Sequence, residues 1–96
     1  EVIIVDNNST DGTVVYLKTL PDYFKIIYNQ ENLAYSKANN QGSKVAAGKY
    51  LLFLNNDTIA LPGWLEEMVK IMEDESVGIV GSKLLYPDGQ YSMPVF

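Results

Sequence analysis

Cysteine and histidine are both absent from the 96 residues. Without thiols, a disulfide-stapled scaffold and a Cys-ligated zinc module are excluded. Without imidazole, histidine can serve neither as acid-base catalyst nor as metal ligand. Chemistry falls to carboxylates, amides and hydroxyls. Positive charge is scarce: seven basic against twelve acidic side chains give a net charge of -5 and a pI near 4.4. That balance removes the electrostatic reason to expect nucleic acid or an anionic membrane surface as partner. The longest apolar runs, residues 2–5 and 50–54, are far below membrane-spanning length. No basic-then-apolar leader opens the chain, so the cytosol is the expected compartment. Glycine-rich nucleotide motifs are missing too. No Gly-x-Gly-x-x-Gly follows the first apolar run and no Walker-type loop exists, so dinucleotide and P-loop readings have no support.

What is present is 47% apolar composition in a length suited to one domain. The chain enters a strand pattern at its first residues, which leads us to expect a piece of a longer protein. Val2-Ile3-Ile4-Val5 is continuously β-branched rather than alternating, the signature of a strand covered on both faces in a parallel sheet. A polar loop, residues 6–12, follows, and Thr10 or Asp11 can cap a helix over 13–20 that Pro21 stops. Residues 24–28 read as a second strand and 35–47 as a helix whose Ala38, Gly42, Val45 and Ala46 form a small-residue face. Residues 50–54 predict a third buried strand. Pro62 fits a first helical position, and Leu65, Met68, Val69 and Met72 then recur at helical spacing opposite Glu66, Glu67, Lys70 and Glu73. Residues 77–80 predict a fourth strand, and 84–86 a short one before a Pro87-Asp88-Gly89 turn. This alternation predicts an α/β architecture with a mainly parallel sheet and helices on both faces.

In such sheets ligands bind outside the carboxyl ends of the strands. Two polar clusters fall there, residues 6–11 and 55–57, and are expected to share one rim. Asp57 is either a ligand for Mg²⁺ or Mn²⁺ or the polar start of a loop. A diphosphate-bound ion needs only one or two protein carboxylates, because substrate oxygens and water complete its shell. Asp6 either accepts a hydrogen bond from a nucleobase N–H or a ribose hydroxyl, or closes its own loop as an Asx-turn. Asp11, followed by Gly12-Thr13, reads as a cap rather than a ligand. A calcium-loop reading fails, since Lys18 stands where a bidentate Glu belongs. Asn39 and Asn40 either reach the crevice or lie on an exposed helical face.

Three segments occur in order: Val5-Asp6-Asn7-Asn8-Ser9-Thr10-Asp11-Gly12-Thr13, Asn32-Leu33-Ala34-Tyr35-Ser36-Lys37-Ala38-Asn39-Asn40-Gln41-Gly42, and Leu54-Asn55-Asn56-Asp57-Thr58 with Pro62-Gly63-Trp64-Leu65. Together they resemble the family 2 inverting glycosyltransferases, particularly the rhamnosyltransferase-like branch. The segment from Val80 to Gly89 resembles the next stretch of those enzymes, so the likeness spans nearly the whole chain. The resemblance implies a partial three-layer GT-A fold (the nucleotide-diphospho-sugar transferase fold) truncated at both ends. It implies a UDP- or dTDP-sugar donor, a saccharide or lipid-linked acceptor, and a role in cell-surface polysaccharide synthesis, at the inner face of the membrane in the full-length enzyme. Carried over by position, Asp6, Asn8, Asn40, Asn55 and Asn56 contact the nucleotide sugar, Asp57 holds Mg²⁺ or Mn²⁺, and the acceptor-activating base lies outside this chain. Three positions depart from the pattern: Asn55 replaces the first acid of the Asp-x-Asp signature, Ala34 stands where many relatives have Gly, and Asn39 where some have Arg. A non-catalytic module on the same fold and a nucleotidyltransferase are the competing readings. The resemblance also places an absent strand between those of residues 2–5 and 50–54. The isolated chain is therefore expected to be inactive, and to repair its sheet locally or self-associate through open edges.

Overall fold

A computed structural model describes residues 1–90. The chain divides into two compact units, Glu1–Asn55 and Asn56–Phe96.

In the first unit the β-branched run forms β1 (Val2–Asp6), which pairs in parallel with β2 (Phe24–Tyr28), in register from Val2 opposite Phe24 to Asp6 opposite Tyr28. A parallel pair needs a crossover, and α1 (Thr13–Leu17) lies in it. The N-cap is Gly12, which makes no side-chain cap bond, so the cap expected at Thr10 or Asp11 falls one residue later; Asp11, just before it, accepts the Thr13 N–H on Oδ1 at 2.8 Å in a local turn. Leu17, 5% exposed, anchors the helix, with half-buried Val14 one turn earlier. The helix is shorter than the predicted 13–20. Its end tightens into Thr19 N–H to Tyr16 O and Leu20 N–H to Leu17 O bonds before Pro21.

The third element, α2 (Ala34–Val45), lies along β1. Ala38, Gly42 and Ala46 are half-buried as the small-residue pattern requires, whereas Val45 is 46% exposed. A methyl group at Gly42 would sit 3.5 Å from Val5 Cγ2 and 3.7 Å from Ile3 Cγ2, which shows how closely the helix backbone approaches the strand. At the amino ends of the strands, Glu1 clasps the unit. Its Oε2 pairs with Lys25 Nζ at 2.7 Å, its Oε1 accepts the Ala47 N–H at 2.6 Å, and Lys25 also donates to Val45 O.

Three strand expectations are corrected. Residues 51–54 form no strand and pair with none among the described residues, and they are 45–59% exposed. Residues 77–80 are likewise irregular, with Ile79 92% exposed, and the short strand predicted over 84–86 is a single bridge residue. The physical reason is common to all three. A continuous apolar run is a strand only when a neighbouring strand takes its N–H and C=O groups and both faces are covered. The sheet of the described residues contains β1 and β2 alone.

In the second unit α3 (Trp64–Met72) is the organising element. Its start is set by Gly63, whose φ of +81° suits glycine, so Pro62 falls in the preceding turn and not in the helix. Trp64, Met68 and Met72 form the half-buried stripe; Leu65 and Val69, expected inside, are 42% and 38% exposed. The inward stripe is thus rotated by one position. The turn expected at Pro87-Asp88-Gly89 is present: Gly89 N–H donates to Tyr86 O and Tyr86 N–H to Gln90 O, with Gly89 at φ +81°.

Candidate functional site

The carboxyl ends of β1 and β2 carry the polar residues of the first unit. Asp6 terminates β1 and is only 5% exposed, the one buried ionisable side chain among the described residues. Its two oxygens differ. Oδ2 accepts the Ser9 N–H at 3.3 Å, the loop-closing role, while Oδ1 is buried without a hydrogen-bond partner. Asn8 makes the closure possible: its φ of +67° turns the chain back so that Ser9 faces the carboxylate, and Asn tolerates that region better than most residues. The Asp6 carbonyl meanwhile accepts the Asn29 N–H at 2.9 Å, continuing the sheet past β2.

Beside Asp6 runs a chain of amides. Asn7 Oδ1 accepts from Leu33 N–H at 2.9 Å and from Asn29 Nδ2 at 3.1 Å. Asn7 Nδ2 donates to Asn32 Oδ1 at 2.7 Å and, at 3.5 Å, to Ala34 O. Asn29 and Gln41 exchange both of their amide bonds, at 2.8 and 2.9 Å. The loop between β2 and α2 is thereby tied to the end of β1. Ala34 begins α2 at φ +61°, a left-handed geometry that glycine adopts more readily than a residue with a Cβ.

The remaining sequence candidates are Asn39 and Asn40, next to Gln41 on α2, and the triplet 55–57. Asn40 is exposed on α2 and Asn39 half-buried beside it. Asn55 closes the first unit and Asn56-Asp57 open the second, in an exposed turn, so the unit boundary passes through the triplet. Among the described residues no three His, Cys, Asp or Glu side chains gather as a metal-binding group. Asp11 has its carboxyl held below the usual range by hydrogen bonds from the Thr13 side chain and backbone. The Asn29–Gln41 pair escaped sequence reasoning. Asn29 follows an apolar strand just as Asn7 follows β1, which is a usable signal; Gln41 lies mid-helix next to Gly42, and only a polar residue bordering a small-residue face marked it.

Residues 1–95 match the glycosyl transferase family 2 domain. This chain belongs to that family. The family 2 assignment carries the GT-A fold, of which the parallel β1–β2 pair and its helices are a part. Relatives agree. The chain is 41% identical over 93 residues to the O-antigen biosynthesis protein RfbC of Myxococcus xanthus, covering 93% of this chain and 7% of that one. It is 33% identical over 94 residues to the glycosyltransferase AglE of Haloferax volcanii, covering 93% and 31%. A Bacillus subtilis protein named for teichuronic acid biosynthesis, TuaG, is 32% identical over 94 residues, covering 93% and 37%. The family 2 chain thus spans between 7% and 37% of the length of these relatives. No solved structure matches it. No helix among its described residues is long and apolar enough to cross a membrane.

Proposed function

We propose that this family 2 domain carries the donor side of an inverting sugar transfer. It binds a UDP- or dTDP-linked sugar for delivery to a hydroxyl of a saccharide or lipid-linked acceptor during assembly of a cell-surface polysaccharide. The polysaccharide context follows the relatives RfbC, named for O-antigen biosynthesis, and TuaG, named for teichuronic acid biosynthesis. The domain works on this reading in the cytoplasm, at the inner membrane face when the acceptor is lipid-linked.

The observation that carries the proposal is the unpartnered Asp6 Oδ1. A buried acceptor left unsatisfied costs on the order of 1–3 kcal/mol, so a ligand that brings a donor gains that much over one that does not. A nucleobase imide N–H or a ribose hydroxyl is such a donor. Asn8 and Asn40, both exposed, and Asn55 and Asn56 offer amides for the sugar and ribose hydroxyls.

A metal is tested by the donor set. A single exposed carboxylate, Asp57, with no acidic or histidine cluster among the described residues, does not make a protein-only cage. It does fit Mg²⁺ or Mn²⁺ whose shell is completed by diphosphate oxygens and water. Such an ion offsets the charge that develops on the departing diphosphate. The chain's own part is to hold the nucleoside at Asp6 and to present one carboxylate at Asp57; the base that deprotonates the acceptor lies outside these residues.

Calorimetric titration with UDP and dTDP, with and without Mn²⁺, tests the reading. Binding is expected to require the ion. Asp57→Ala abolishes that requirement together with most of the affinity, and Asp6→Asn, which replaces the acceptor oxygen pair with an amide, weakens binding with the ion present. Nucleotide binding that neither substitution alters overturns the assignment.

A further inference from the structure

Asp6 is not held by itself. Four hydrogen bonds converge on the side chain of the next residue, and these use the full capacity of an amide: two acceptor positions on Asn7 Oδ1, two donors on Nδ2. Asn7 therefore has nothing left to offer a ligand, although it lies in the middle of the polar loop. Its partners come from three places distant in sequence: Asn29 at the end of β2, Asn32 and Leu33 in the loop, and Ala34 at the start of α2. Asn29 in turn is locked to Gln41 by a reciprocal pair, one that is partly buried. With its side chain fixed, Asn7 sets the direction in which the chain leaves β1. Asn8 reverses it, and Ser9 N–H closes on Oδ2, leaving Oδ1 as the acceptor without a partner.

We infer that Asn7, Asn29 and Gln41 are positioning residues for the donor site: their amide network presets the Asp6 carboxylate and the 29–34 loop for nucleotide before it arrives. The inference rests on the proposed donor role of Asp6. Its physical content is preorganisation. A loop already fixed by saturated hydrogen bonds loses little freedom when ligand binds, whereas a loop freed from its ties must be ordered at that moment and affinity falls accordingly. Neutral amides suit the task, because their hydrogen bonds hold the loop without adding charge beside the Asp6 carboxylate.

The test uses two readouts on the same chain. Gln41→Met keeps the side-chain length and removes both bonds to Asn29; Gln41→Glu keeps an acceptor for Asn29 Nδ2 and is the conservative rescue. Amide hydrogen exchange at Leu33 reports the loop directly, with no nucleotide present. Titration with UDP and Mn²⁺ reports the site. The expected result is faster Leu33 exchange in Gln41→Met and UDP binding weaker by roughly tenfold, with Gln41→Glu between it and the wild type. Combined with Asp6→Asn, the Gln41→Met loss shrinks, since the network acts through that carboxylate; independent sites would instead lose affinity multiplicatively. Should Gln41→Met fail to fold, Asn7→Asp, which retains the two acceptor contacts and drops the two donors, takes its place in the same cycle. Faster exchange with unchanged affinity for UDP overturns the inference alone and leaves a merely structural brace. Failure of the wild-type chain to bind UDP or dTDP overturns the donor-site reading, and the inference with it.

Discussion

Replacing Ala34 with glycine should stabilise the protein, which is an unusual expectation for the first residue of a helix. Ala34 has φ +61°. Left-handed backbone costs an L-residue with a Cβ about 1–2 kcal/mol, and glycine about nothing. Against that gain, glycine widens the unfolded ensemble, which costs about 0.4–1 kcal/mol. The methyl group itself contributes little, because Ala34 is exposed. The helix-interior penalty for glycine does not apply to a residue that is outside helical φ. What holds Ala34 in its strained geometry remains after the change, since both ties use its backbone: Ala34 N–H donates to Asn32 Oδ1 at 2.8 Å and Ala34 O accepts from Asn7 at 3.5 Å. The net expectation is a stabilisation of about 0.5–1 kcal/mol. For a domain of this size that raises the thermal midpoint by roughly 2–8 °C. Thermal denaturation followed by circular dichroism measures it, with Ala34→Val as the opposing control, because a β-branched residue is worse still at positive φ. A midpoint that is unchanged or lower in Ala34→Gly refutes the reasoning, and so does a Val variant as stable as the wild type.

Three further outcomes are expected of the same unit. Gly42→Ala should also stabilise, by about 0.5–1 kcal/mol in helix propensity, because the added methyl meets Val5 and Ile3 at ordinary contact distances of 3.5 and 3.7 Å; urea denaturation with an unchanged m-value checks it. The Glu1 carboxyl is lowered to about 2, chiefly by its hydrogen bond from Lys25 and next by that from the Ala47 N–H. The folded value lies below the unfolded one, so this clasp contributes its full stability above the unfolded value of 4.5 and loses it as pH falls toward about 2. Thermal midpoints measured across that window should fall more steeply in the wild type than in Glu1→Gln. Finally, the 45–59% exposure of residues 51–54 predicts concentration-dependent association; light scattering should show it, and Leu52→Lys should suppress it.

The sequence was legible where a local rule and the tertiary environment agree. β1 and β2 followed from β-branched runs, and α2 from a small-residue face that the strand does approach. It was misleading at residues 50–54 for a reason contained in the same rule: an unbroken apolar run reports that burial on two faces suits it, not that a neighbour is there to provide it. Asp6 stood out as a carboxylate closing an apolar strand. Its distinguishing feature, one oxygen engaged and the other not, depends on the Asn8 turn and on Ser9, which composition does not encode. The amide network was hidden for a related reason. Each member looks like an ordinary surface amide, and only the crossing of β1, β2 and α2 makes Asn7, Asn29 and Gln41 neighbours across separations of 12 and 22 positions.

The two acids of the first loop show why position, and not residue type, assigns the chemistry. Asp6 and Asp11 are separated by four residues and share the same side chain. Asp11 is exposed, and its carboxyl is held below the usual range by hydrogen bonds from the Thr13 side chain first and the Thr13 N–H next, so it is already engaged by the protein. A ligand approaching it would compete with those bonds and with water. Asp6 is buried and half satisfied. Its Oδ2 is held by the Ser9 N–H in the turn that Asn8 sets, and Oδ1 has no hydrogen-bond partner among the described residues, so what Asp6 offers is set by its place in the loop and not by its residue type.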